Sequence, residues 1–499
     1  MELVSKLNST TLMRPHQRRI MRIDGRLAVA LIAFSTIILL AVGVYLATPA
    51  YALAAAIFVL VVGVVANLIL IRGRRGFLDP SMALAAVTVP FFILAPFVQL
   101  LVNQYSQLHV SDPVVSFVIT ALMVGTFIVV FSLGRRLAKY HNPGKRSLAS
   151  DKVVVIVKKL GRLRIIVWTL LIIGAISWFF YFQHMGGIVY FLKNLQNKTQ
   201  LQSGLGYLLL LSSSLQIGAL IAVTCDANNV PVMKRSLLWV TVSVALILIM
   251  SLGGRSRVLM FLVVILFIFK LTGRHISAIK WGVILVVGVV FLFLAGRIRT
   301  LGYGGDEIFD YEAITEVVNV ETEMSQYQII TDYGHFERIG LIYEYVPSKL
   351  PFQYGATIVS VALFPLPRSF FPDKPIGSGP LLANAFNPGS WDLERGWVSG
   401  VTPTIIGELY LNFWWPGVII GGLILGWIAS KAFSAIKRNR TIWAQMIYSL
   451  YLVYFVMAGV LGEFYGTVIA FTIFLSLVLG ARMAFRLGNN RRQLAKGLP

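Results

Sequence analysis

The sequence predicts an all-α polytopic integral membrane protein with about twelve transmembrane helices and one large, partly helical external loop. Three observations predict it. Of the 499 residues 57% are hydrophobic and only 13% are charged, with mean hydropathy +0.77. The apolar residues fall in runs long enough to cross a bilayer. Thirteen of the 21 acidic residues lie in one stretch, 297–400, bracketed by such runs.

A helix needs about 20 apolar residues to cross a hydrocarbon core roughly 30 Å thick. Nine runs precede the polar stretch: 27–47, 51–71, 79–102, 114–134, 165–183, 206–225, 237–252, 258–273 and 281–296. Three follow it: 402–427, 442–462 and 465–485. The short runs 237–252 and 258–273 read as two helices joined by a tight turn at Gly253-Gly254-Arg255-Ser256-Arg257, with a re-entrant pair as the alternative. The chain thus divides into a basic amino-terminal segment (1–26), a nine-helix block (27–296), the loop domain (297–400), a three-helix block (401–485) and a basic tail (486–499).

Charge orients the spans, because cytoplasmic loops carry excess Lys and Arg. With the amino terminus inside, 33 of the 44 basic residues fall in cytoplasmic segments and 11 outside. Both termini are therefore expected in the cytoplasm and the loop domain on the outer face. The net charge of +23 is spread over short loops beside the spans, which suits anionic lipid and argues against a nucleic-acid partner. The first 26 residues do not resemble a cleavable signal. Cys225 is the lone cysteine and the six histidines lack metal-ligand spacing, so neither a disulfide framework nor a metal site is expected.

In the loop domain, 307–345 carries apolar residues near a helical period, with Glu312, Glu316, Glu321 and Glu323 facing elsewhere. The second half holds eight prolines between Pro347 and Pro388, so irregular backbone is expected. Its many aromatic residues argue against disorder and for an ordered lid packed on the membrane domain. An apolar loop resting on the bilayer surface is the plainer alternative. Beyond the loop, Glu408 and Asn412 are four apart and share a helix face, one to two turns below the outer surface. A carboxyl at that depth needs a cavity or a partner. It serves chemistry there, or it pairs with a neighbouring arginine to hold two helices together.

Three local patterns stand out in this layout: Gly253-Gly254-Arg255-Ser256-Arg257-Val258-Leu259 opening a middle helix, the Pro367-Arg368 to Lys374-Pro375 run, and Gly407-Glu408-Leu409-Tyr410-Leu411-Asn412-Phe413 before a Gly-rich span. Gly186-Gly187-Ile188 after the fifth span adds a fourth. With the dominant external loop, they resemble the bacterial oligosaccharide repeat-unit polymerases, the Wzy-type O-antigen polymerases. The resemblance implies a GT-C-like architecture in the bacterial inner membrane. It implies transfer of a growing glycan from polyprenyl pyrophosphate to the non-reducing end of an incoming lipid-linked repeat unit, without a cofactor. Donor and acceptor are then lipid-linked oligosaccharides, and a chain-length regulator and a flippase would act in the same pathway.

Given that reaction, the leaving pyrophosphate needs permanent positive charge, and arginine offers phosphate a planar fork. Arg255, Arg257, Arg297, Arg299, Arg368 and Arg395 stand on the expected outer face, with Lys374 in the lid run. Arg255 and Arg257 have a second reading as snorkelling interface residues. The acceptor hydroxyl needs one base, and Glu408, Asp373 and His335 are the candidates in that order. Without a DxD motif, arginine rather than metal would stabilise the departing charge. Asn412 would join the binding set. Trp391, Trp397, Trp414 and Tyr410 are placed to stack on sugars or, as plain anchors, to sit at the interface. Two rival readings remain open: an O-antigen-ligase-like transferase, which would rely on a loop histidine such as His335, and a transporter or flippase.

Overall fold

The computed structural model describes residues 78–96, 112–141, 160–194, 201, 204–252, 255–273, 334–364, 366, 370–371, 373–392, 397–398 and 400–494. The expected spans 27–47, 51–71 and 281–296, the helical stretch 307–333 and both basic termini lie outside them, apart from 486–494.

In chain order the elements are α1 (Pro80–Val89, continued by a π-helical turn Pro90–Leu94), α2 (Pro113–His141), α3 (Leu160–His184), α4 (Ile188–Lys193) and α5 (Gly206–Ala227). Then come α6 (Arg235–Ser251), α7 (Arg255–Leu271), α8 (His335–Tyr345), α9 (Ala356–Ala362) and α10 (Ser378–Phe386). The chain closes with α11 (Thr404–Arg438), α12 (Ile442–Leu461, with a π-helical middle at Tyr451–Met457) and α13 (Phe464–Leu494). Apart from a ladder pairing β1 (Trp391–Asp392) with β2 (Trp397–Val398), every regular element among the described residues is helical.

Six of these helices are long and apolar enough to cross a membrane: α2, α3, α5, α11, α12 and α13. The chain is an α-helical membrane protein. Helices α6 and α7 are each 17 residues long, and Gly253 and Gly254 of the expected turn between them lie outside the described residues.

Packing explains how these apolar helices choose partners, since lipid gives them no hydrophobic reason to associate. α2 lies along α11, and α3 along α5. The first crossing depends on Gly426. A Cβ there would stand 1.9 Å from the Phe131 carbonyl oxygen, so only glycine lets the two backbones approach. A buried ion pair closes one end of the bundle. Asp79 caps α1 by accepting from the Ser81 N–H at 3.1 Å, and both its oxygens meet the Arg135 guanidinium, at 2.5 and 2.9 Å. The Tyr448 hydroxyl donates to the Leu78 carbonyl at 2.8 Å, tying α12 to the same corner. Breaking one partner of such a pair leaves an uncompensated buried charge, at a cost of about 3–5 kcal/mol.

The loop domain docks against this bundle. α8 wedges between α2 and α11, with Phe336 on Phe117 at 4.8 Å between ring centroids. α9 lies on α13. The proline-rich half is therefore less irregular than its composition suggests: two short helices and a ladder punctuate it, and prolines fall at their edges.

Candidate functional site

The span expected as one helix over 402–427 is two. α11 breaks at Phe413 (φ −139°, ψ 18°) and Trp414 (φ 56°, ψ −150°), leaving a short helix over 404–412 and a long one over 415–438. Trp414 occupies a backbone region that residues with a Cβ rarely adopt, which costs about 1–3 kcal/mol and persists only where surroundings enforce it. The bend folds the second helix against the first. A Cβ at Gly417 would sit 2.3 Å from the Leu409 carbonyl oxygen, so this position tolerates no side chain. Pro416 removes a backbone donor just beyond the break.

A break exposes backbone carbonyls that lipid cannot satisfy, and the loop domain satisfies them here. The Gln353 N–H donates to the Leu411 carbonyl at 3.0 Å and the Tyr354 N–H to that of Asn412 at 3.1 Å. The Gly355 N–H donates to Asn412 Oδ1 at 2.9 Å. Asn412 Nδ2 donates to its own helix at the Glu408 carbonyl and to Thr357 Oγ1, both at 2.8 Å. Thr357 passes the chain on, donating to Glu408 Oε1 at 3.0 Å. Glu408 Oε2 accepts from the Phe464 N–H at 2.6 Å, at the head of α13. Glu408 is only 1% exposed, and its partners are a hydroxyl and an amide rather than a guanidinium. The shared face of Glu408 and Asn412 is thus one polar seam joining α9, α11 and α13.

A second carboxyl stands next to it. Glu463, in the turn between α12 and α13, lies within electrostatic reach of Glu408. Its Oε2 accepts from the Gly379 N–H at 2.9 Å in the first turn of α10, where the helix dipole favours an anion. Burial nonetheless holds its carboxyl above the usual range, against the hydrogen bonds from Gly379 and Gly466. Sequence reasoning did not single out Glu463. The available signal was its position, as one of eight acids outside 297–400 and flanked by two apolar runs.

From this polar seam a cavity of about 830 Å³ runs along the long half of α11. Glu408 and Asn412 line one end, and the rest is almost wholly apolar, from Pro416 past Gly421 and Ile424 to Ile428. Pro416 to Ile428 spans roughly 18 Å of helix at 1.5 Å per residue. Ile420 and Ile424, which line it, are 55% and 52% exposed, so the cavity opens sideways through apolar surface. Trp414 lines its upper part beside Tyr354.

The other expected site residues are placed as follows. His335 begins α8 with its ring edge-on to Phe91 at 5.2 Å, and Nδ1 is buried without a hydrogen-bond partner among the described residues. Burial and the neighbouring Arg338 push it down to about 3, too low for a base at neutral pH. Asp373 is exposed in the lid and does not line the cavity. Lys374 Nζ donates to the carbonyls of Phe364 and Leu366 at 3.1 and 3.2 Å, which closes the lid turn on itself. Tyr410 is buried between Tyr343 and Phe352, behind the cavity wall that Phe352 lines, and is not itself a lining residue. Arg257 is exposed at the start of α7, near Tyr454, and is not a lining residue; Arg255 is placed only as the first residue of that helix. Arg297, Arg299, Arg368, Arg395 and the Trp397 side chain lie outside the described residues. Trp391 is half-buried in the ladder. Among the described residues no group of three or more His, Cys, Asp or Glu is disposed to hold a metal.

Comparison of the chain with protein-family models, with curated proteins and with solved structures finds no match, so the geometry of this site carries the functional argument alone.

Proposed function

We propose that the protein is a glycosyltransferase of the bacterial inner membrane that polymerises oligosaccharide repeat units carried on polyprenyl pyrophosphate. In this reading about twelve spans leave both termini in the cytoplasm and the lid on the periplasmic face. The observation that carries it is the cavity: a long apolar channel, open sideways to where lipid would lie, that ends at a buried carboxyl. An isoprenoid chain fits such a channel by chemistry, because it offers only apolar surface and the channel offers little else.

The polar seam would then receive the reacting groups. An acceptor sugar hydroxyl attacks the donor anomeric carbon, and the bond from that carbon to the pyrophosphate oxygen breaks. The pyrophosphate leaves with the bonding electrons, and the hydroxyl proton passes to Glu408 or its neighbour Glu463. Arg255 and Arg257, at the head of α7, are the cations proposed to receive the departing pyrophosphate. The low basicity of His335 and its packing on Phe91 disfavour the ligase-like alternative, which needs a loop histidine as base.

Purified protein in lipid nanodiscs, given polyprenyl-pyrophosphate-linked repeat units, tests the reading. A ladder of products differing by one repeat is expected. Units left unextended refute polymerisation, and transfer only to a lipid A core acceptor identifies a ligase.

A further inference from the structure

The lid turn between α9 and α10 presents a surface that the functional reading does not use. Phe370 is 82% exposed, and Phe364, Leu366 and Phe371 are also exposed around it. They are not loosely held. Lys374 Nζ is bonded to the carbonyls of Phe364 and Leu366, and the Lys374 N–H donates to the Phe371 carbonyl at 3.2 Å. The carbonyls of Phe364, Leu366 and Phe371 are thus held on Lys374 while their side chains stay exposed. Exposed apolar side chains on a backbone held in this way mark a contact surface.

Its location says with what. The Phe364 ring lies edge-on to Tyr465, with centroids 6.1 Å apart, and Tyr465 is the second residue of the membrane-crossing helix α13. α9 packs on the same helix, with Thr357 and Ser360 buried and Val359 exposed. The patch is therefore level with the end of a membrane span. Aromatic rings beside a lysine form the composition that seats at the headgroup boundary.

We propose that Phe364, Leu366, Phe370 and Phe371 form a monotopic anchor, seated in the bilayer leaflet at the Tyr465 end of α13. The inference does not rest on the glycosyltransferase reading. The anchor fixes the height of the lid over the membrane, and through α9 it fixes Thr357 against Glu408.

Phe370→Cys and Phe371→Cys, each in a Cys225→Ala background, would carry an environment-sensitive fluorophore in full-length protein reconstituted in nanodiscs. Both positions are surface-exposed, so substitution leaves the core intact, and a monodisperse elution profile checks this. The expected result is blue-shifted emission that lipids spin-labelled near the headgroup quench and aqueous iodide does not. Quenching by iodide instead overturns the anchor. Protection from both quenchers also overturns it, because the patch would then be covered by protein.

Discussion

Replacing Glu408 separates its two roles, because alanine and glutamine disturb them differently. Alanine removes both acceptor oxygens. The Phe464 N–H, which donates at 2.6 Å, is left buried without an acceptor, and Thr357 loses the oxygen its hydroxyl reaches at 3.0 Å. An orphaned buried donor costs about 1–3 kcal/mol, so the pair costs roughly 2–6 kcal/mol. Glutamine keeps the shape and one acceptor. Its carbonyl can take the Phe464 N–H while its amide donates to Thr357 Oγ1, which has a second lone pair beside the one used by Asn412. One Thr357 hydroxyl hydrogen is displaced, and the net loss is about 1 kcal/mol. What glutamine cannot do is take a proton.

If Glu408 is the base, Glu408→Gln should therefore retain most stability and lose about 10²–10⁴-fold in turnover, a barrier change of roughly 3–5 kcal/mol. Glu408→Ala should lose both. The assay is extension of lipid-linked repeat units in nanodiscs, run beside a thermal midpoint for each variant. Wild-type turnover in Glu408→Gln would falsify the base assignment and leave the carboxyl as the seam's joint. An unchanged thermal midpoint in Glu408→Ala would refute the hydrogen-bond reasoning itself.

Further expectations follow from other buried groups. Burial raises the Glu337 carboxyl to about 8, so the folded state holds more protons than the unfolded state between about pH 4.5 and 8; stability should fall as pH rises through that window. Glu337→Gln should flatten that slope and raise the thermal midpoint at pH 8–9, and an unaltered profile would count against the assignment. Gly426→Ala places a Cβ 1.9 Å from the Phe131 carbonyl oxygen, so α2 and α11 must separate; a lowered thermal midpoint or loss from the membrane fraction is expected. Glu463→Ala frees the Gly379 N–H at the head of α10 and should speed limited proteolysis at the exposed segment 387–389, whereas Glu463→Gln, which keeps an acceptor, should not. Reporters fused after Gly389 and after Arg440 should be active on opposite sides of the membrane, and activity on one side would overturn the proposed topology.

The six described spans are legible in the sequence because the bilayer imposes a one-dimensional demand. Runs such as 114–134 and 206–225 reappear as α2 and α5 with ends shifted by a few residues or a turn or two, since apolar length alone decides them. The break in α11 was not legible on that basis. Phe413 and Trp414 are as apolar as their neighbours, so hydropathy runs through them; only Pro416 and Gly417 just beyond hint at it. The short helix over 404–412 owes its end to Gln353, Tyr354 and Gly355, more than fifty residues earlier, and sequence spacing is silent on such partners.

The same limit governs the candidate acids. Chemistry ranks Glu408, Asp373 and His335 by what each could do, but neighbours decide what each can do. Asp373 is left in the open, away from the cavity. His335 packs its ring against Phe91 and loses its basicity to burial. Glu408 alone of the three lines the cavity, with Glu463 behind it, next to the lining residue Phe464. Glu408 is held by the Thr357 hydroxyl and the Phe464 N–H, and Glu463, the residue before Phe464, by the Gly379 N–H. Replacing either acid disturbs both anchorages, so a proton-transfer role should be tested on the pair, with Glu408→Gln, Glu463→Gln and the double variant compared, rather than on either glutamate alone.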